Sequence, residues 1–142
     1  MKTDHGTSER SRPCGSRELF ERAKDYALSY MASVRDRRVC PDEDAVAALR
    51  AFVEPLPEQP ADPGEMLKAL HEIGSPATVA QTGGRYYGFV NGGVIPEALA
   101  ARWLSDAWDQ NAALYVMSPV TSVLEDVCER WLIDLLGLPA GT

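Results

Sequence analysis

The chain has 142 residues, 45% of them apolar, and a net charge of −7. That length fits one ordinary domain, and that apolar share belongs to a globular protein and not to a disordered one. The acidic balance disfavours a nucleic-acid or anionic-membrane partner, and no apolar run reaches the roughly 18 residues of a membrane-spanning helix.

Residues 1–15, MKTDHGTSERSRPCG, lack the apolar centre of a secretory signal and read as a disordered tail. Cys14, Cys40 and Cys128 contain no CxxC pair, so reduced thiols and a cytoplasmic location are expected. Only His5 and His71 are available beside them, too few ligands for a structural metal site.

A first amphipathic helix is predicted from Ser16 to about Arg35, with Ser16 as its N-cap. Leu19, Phe20, Ala23, Tyr26, Ala27, Tyr30, Met31 and Val34 recur at helical spacing, and charged residues fill the other face. The apolar face is wide, and the chain supplies few partners for it nearby. Arg35 to Pro41 is a connector whose basic cluster suggests a phosphate site, but reads first as a solvated helix end, where cations complement the dipole. Asp42 to about Phe52 reads as a shorter helix with Val46, Leu49 and either Phe52 or Val53 as its stripe. Pro55, Pro57, Pro60 and Pro63 then favour extended backbone.

Asp62-Pro63 opens a third helix, with Met66, Leu67, Leu70 and Ile73 facing inward and Gly74 as its stop. His71 beside that face reads as a packed or surface histidine. Ser75 to Gln81 reads as loop. The segment GGRYYGFVNGGV follows, with an extended piece expected at Tyr87 to Val90. A fourth helix runs from Pro96 to about Asn111, with Leu99, Trp103, Ala107 and either Leu104 or Trp108 expected to be buried. Ala113 to Met117 reads as extended. The fifth helix opens at Ser118-Pro119, with Ser118 as cap, and stops at Gly137 and Pro139; Val120, Val123, Leu124, Val127, Trp131 and Leu135 are expected inward. The reading is mainly α: about five helices with Pro- and Gly-rich connectors.

No nucleophile–base pair stands out. Ser118 lacks a GxSxG elbow and a nearby His, so a catalytic residue is not expected there. Glu125, Asp126 and Glu129 share one helix turn and read as a solvated acidic face. Gly83-Gly84 and Gly92-Gly93 lack the spacings of a phosphate loop.

YYGFVNGG, the Pro-led helix after it, WDQNAALYVMSPV and LE…RWLIDLLGLP resemble the N-terminal part of the pyridoxal-phosphate-dependent amino-acid decarboxylases of fold type I. The resemblance runs more weakly back to about Leu19 and takes in Arg-x-Val-x-Pro in the connector. It implies that the chain is the N-terminal portion of an α/β enzyme, ending before the cofactor-binding core. On that reading residues 16–82 are a helical dimerisation segment, and 83–142 hold the substrate-pocket loop and the first helices of the large domain. Phe89, Val90 and Asn91 then line the substrate pocket, where family members often carry Phe-Pro-Thr, and Ser118 and Pro119 lie near the cofactor. Val90 in place of Pro, Asn91 in place of Thr and Gly88 in place of Tyr alter the pocket's size and hydrogen bonding. The implied partners are an amino-acid substrate and a second copy of the chain, joined through the N-terminal helices.

Pyridoxal phosphate needs a lysine for its Schiff base. The lysines here are Lys2, Lys24 and Lys68, and none follows a His as the family's does. The chain alone is therefore expected to be inactive and not to hold the cofactor. The alternative expectation is a non-catalytic helical interaction module, a truncated relative that pairs with a full-length enzyme.

Overall fold

The structure, a computed structural model, describes residues 15–139 and residue 141. The expected tail, apart from Gly15, lies outside the described residues, as do Lys2, His5 and Cys14. Five α-helices and no strand occur among the described residues: α1 (Ser16–Ser33), α2 (Glu43–Ala48), α3 (Pro63–Ala69), α4 (Pro96–Trp108) and α5 (Pro119–Leu136). The chain divides into two compact units, Met1–Gly93 and Val94–Thr142, so the aromatic segment up to Gly93 goes with the first.

In the first unit, α1 is capped by Gly15 and not by Ser16 as expected. Gly15 has φ 154°, open to a residue without a Cβ, and its carbonyl accepts the Leu19 N–H at 2.7 Å. The predicted stripe is otherwise the covered face: Leu19, Ala23, Tyr26, Ala27, Tyr30 and Met31 are half-buried and Val34 is buried. Phe20 is the exception at 70% exposure. Side-chain caps set the next two helices. Asp42 accepts from the Ala45 N–H at 2.8 Å and Asp62 from the Glu65 N–H at 3.0 Å, with Pro63 in the first turn of α3.

Beyond Ala48 the backbone tightens into a 3₁₀ turn over Leu49–Phe52, where Leu49 is half-buried while Phe52 and Val53 are exposed. The proline-rich stretch from Val53 to Ala61 is exposed and without regular structure.

Gly74 does not stop the third helix. Its φ is −73°, and helical backbone continues as a π turn over Leu70–Gly74 and a 3₁₀ turn over Ser75–Ala77. Pro76 lacks an N–H, and the wider turn, with Ser75 N–H bonded to Leu70 O, takes the chain past that gap. A second chain segment holds it in place: Arg37 donates to the Ser75 carbonyl, and Tyr30 and Thr78 hydroxyls meet at 2.9 Å.

Val34 and Ala80 are the buried apolar residues among those described. Ala80 N–H bonds to Val39 O at 2.9 Å, tying the connector to the segment after the 3₁₀ turn. A Cβ on Gly83 would sit 3.2 Å from the carbonyls of both Ala80 and Val34, so glycine permits that approach.

In the second unit, α4 ends at Trp108 and not near Asn111. Asp109 takes the left-handed conformation (φ 48°, ψ 51°), and Gln110 Nε2 donates to Trp108 O at 2.8 Å. Ala113 to Met117 is turn and not extended backbone; Met117 and Ser118 N–H groups both bond to Leu114 O. Pro119 opens α5 and Gly137 closes it at φ 62°.

Neither α4 nor α5 contains a buried residue. Leu99 and Val127 are half-buried, but Trp103, Leu104, Ala107, Trp108, Val120, Val123, Leu124, Trp131 and Leu135 are exposed, contrary to expectation. Periodicity identifies the apolar face of a helix; it does not supply a surface to cover it.

Candidate functional site

Phe89, Val90 and Asn91 fall together in one tight turn at the end of the first unit. The Asn91 N–H bonds to Gly88 O at 3.2 Å, closing a β-turn over Gly88–Asn91. Both central residues have positive φ, 52° at Phe89 and 60° at Val90, so the segment is a turn and not the extended piece expected.

Turns with positive φ at both central positions select Asn-Gly, because a Cβ crowds the following carbonyl. A β-branched residue there is an outlier, and the cost is about 1–2 kcal/mol per residue. The strained pair is also uncovered: Phe89 is 92% exposed, Val90 fully exposed and neighbouring Tyr87 91% exposed.

The base of the turn is better packed. A Cβ on Gly88 would meet the Tyr86 hydroxyl at 2.8 Å, so the Tyr86 side chain lies where any larger residue would have to displace it. Tyr87 hydroxyl donates back to Gly84 O at 3.1 Å. Two local bonds and one ring thus hold an apolar tip toward solvent.

Ser118 and Pro119 belong to the second unit. Ser118 occupies the N-cap position of α5, yet its side chain makes no cap hydrogen bond. Its Oγ is fully buried and has no partner, while Thr121 Oγ1 donates to Ser118 O at 3.1 Å. The helix start rests on Pro119 and on these backbone acceptors, which corrects the expectation of a serine cap.

The described lysines do not suit a pyridoxal-phosphate Schiff base. Lys24 lies on α1, paired with Glu21 and 3.4 Å from Asp25. The hydrogen bond from Lys24 to Glu21 raises its pKa, the opposite of what a nucleophilic amine needs. Lys68 is exposed on α3. No group of three or more His, Cys, Asp or Glu able to hold a metal ion occurs among the described residues, and no described helix is long and apolar enough to cross a membrane.

Several contacts had no sequence signal. Tyr26 and His71 stack with ring centroids 4.0 Å apart and planes 5° from parallel. The Arg37 guanidinium lies 4.6 Å above the Tyr30 ring. Arg85 donates to the carbonyls of Arg35 and Arg37. The first and last join residues far apart in the chain, and Tyr30–Arg37 bridges the end of α1, so no helical spacing announces them.

Comparison with known proteins points the same way as the motifs. Human histidine decarboxylase is 27% identical over 123 residues, 87% of this chain. Those residues are 19% of that protein, so the chain spans about a fifth of the length of the curated relative it matches. No protein-family model and no solved structure matches the chain. The match suggests the decarboxylase family, and the described residues form five α-helices, as the sequence led one to expect.

Proposed function

We propose that this chain is the N-terminal portion of a pyridoxal-phosphate-dependent amino-acid decarboxylase, a carboxy-lyase of fold type I. In this reading its helices supply dimer contacts, and the Gly88–Asn91 turn forms part of the substrate pocket. The observation that carries it is the uncovered apolar surface. Phe89, Val90, Trp131 and Leu135 stand in solvent on a chain whose buried apolar residues, among those described, are Val34 and Ala80. Soluble monomers rarely expose this much large apolar side chain, and a covering surface accounts for it.

The roles follow from side-chain chemistry. Phe89 offers a flat apolar face to a substrate side chain, and the Asn91 amide donates and accepts. Ser118 and Pro119 stand on the cofactor side. The cofactor, when bound by the body of the enzyme, supplies the electron sink for loss of the carboxylate. Residues of this chain bind and orient substrate, and this chain alone is inactive.

The test is the coding sequence beyond Thr142, followed by assay of the longest product. A continuation that carries a His-Lys pair and binds pyridoxal phosphate supports the reading. A stop codon at that point, with no decarboxylation of any amino acid by the chain and its interaction partners, refutes it. The second reading, a non-catalytic helical interaction module, is favoured by one observation: both described lysines are unsuited to a Schiff base. Pyridoxal phosphate added to the 142-residue chain should then give no stoichiometric aldimine absorbance.

A further inference from the structure

We propose that the cleft between the α1–α2 connector and the Ser75–Ala77 turn binds a small phosphate-type oxyanion through Arg37 and Arg38. This goes beyond the decarboxylase reading and does not depend on it. The cleft has a volume of about 270 Å³ and is lined by Arg37, Arg38, Cys40, Pro41, Asp42 and Thr78, among others. A water occupies about 30 Å³ of liquid, so an anion and several waters fit.

Charge is what distinguishes the place. The chain carries −7 overall, yet Arg35, Arg37, Arg38 and Arg85 gather at this connector. Among the described residues the ion pairs are Arg22–Glu18, Lys24 with Glu21 and Asp25, and Arg102–Asp106, so none of these four arginines is neutralised by a carboxylate. The carboxylates at hand are Asp36 in the connector and Asp42 on the cleft wall. Asp42 keeps its charge on the cleft wall while it caps α2 by accepting from the Ala45 N–H, and the two lining arginines outnumber it.

The arginines differ in how they are held. Arg37 is fixed by its bond to Ser75 O and by the Tyr30 ring beneath it, contacts that set its position and leave its charge in place. Arg85 reaches the connector through two carbonyls, again without losing charge. Arg38 is exposed and makes no hydrogen bond or ion pair with a described residue, so all its donors are available. One pre-positioned guanidinium beside one free guanidinium is an arrangement for gripping an oxyanion from two sides, and the planar fork matches phosphate geometry. The excess of cations favours a dianion over a carboxylate.

Equilibrium dialysis of labelled inorganic phosphate against the full chain at low salt tests this. One saturable equivalent per chain is expected, weakened about tenfold or more by Arg38→Ala and less by Arg38→Lys, on the usual strength of a charge-assisted bond. Because Arg38 is exposed and makes no hydrogen bond or ion pair with a described residue, the variant should keep its helical circular dichroism. Arg102→Ala, on α4, should leave the uptake unchanged. Uptake that fails to saturate, that survives Arg38→Ala, or that acetate and chloride displace as well as phosphate does would overturn the proposal.

Discussion

The Arg85 guanidinium donates to the carbonyl oxygen of Arg37, 48 residues earlier in the chain, and to that of Arg35 at 3.0 Å. The two acceptors follow the end of α1, where backbone carbonyls lack helical partners and the dipole is negative. One side chain therefore stitches the aromatic segment to the first helix. Arg85→Ala should lower the stability of the first unit by about 1–2 kcal/mol, on the usual worth of bonds to a charged donor discounted for exposure. Both bonds leave one nitrogen, Nη2, so Arg85→Lys, whose single ammonium nitrogen also carries several donors on a shorter stem, should recover part of the loss. Urea unfolding followed by circular dichroism reads both.

The turn at Phe89 and Val90 makes a separable prediction. Phe89→Asn with Val90→Gly installs the pair that its backbone angles favour. Stability should rise by about 1–3 kcal/mol as strain is relieved, while the apolar tip is lost. If the tip meets a substrate or a protein surface, the same variant should bind more weakly although it folds better. Thermal unfolding and ligand or partner affinity, measured side by side, separate the two effects.

Three helix starts that look alike should answer differently to alanine. Asp42→Ala and Asp62→Ala each remove a hydrogen-bonded cap and should cost about 1 kcal/mol. Ser118→Ala removes a buried hydroxyl that has no partner, so it should be neutral or slightly stabilising. A loss at Ser118 matching those at the aspartates, measured by urea unfolding, would show that its hydroxyl does serve the helix.

Self-association is the fourth expectation. Trp131 is 69% and Leu135 80% exposed on α5, alongside exposed Trp103 and Trp108 on α4. Sedimentation velocity of the full chain should show concentration-dependent mass, with tryptophan emission shifting to the blue as the chains associate. Replacing Trp131 and Leu135 by Glu should suppress both, with little loss of helix, because both side chains are largely exposed. An unchanged monomer at all concentrations would contradict the proposed role of these faces.

Much of the local architecture was legible from residue order. Pro63 and Pro119 start helices because a missing N–H costs nothing in a first turn, and Gly137 ends one because only a residue without a Cβ takes its φ freely. The stripe from Leu19 to Val34, Phe20 apart, is the covered face of α1, as its spacing required. These outcomes depend on residues within a turn or two of one another. What happens at Gly74, Phe89, Trp103 and Ser118 does not. Helical backbone runs past Gly74 under contacts that Arg37 and Tyr30 bring from the first helix and its connector. Val90 holds an angle its own side chain opposes, Trp103 stays uncovered on an apolar face, and Ser118 is buried away from the amides it was placed to cap. Propensity acts between neighbours; burial and strain are settled by whatever surface the rest of the chain does or does not bring up.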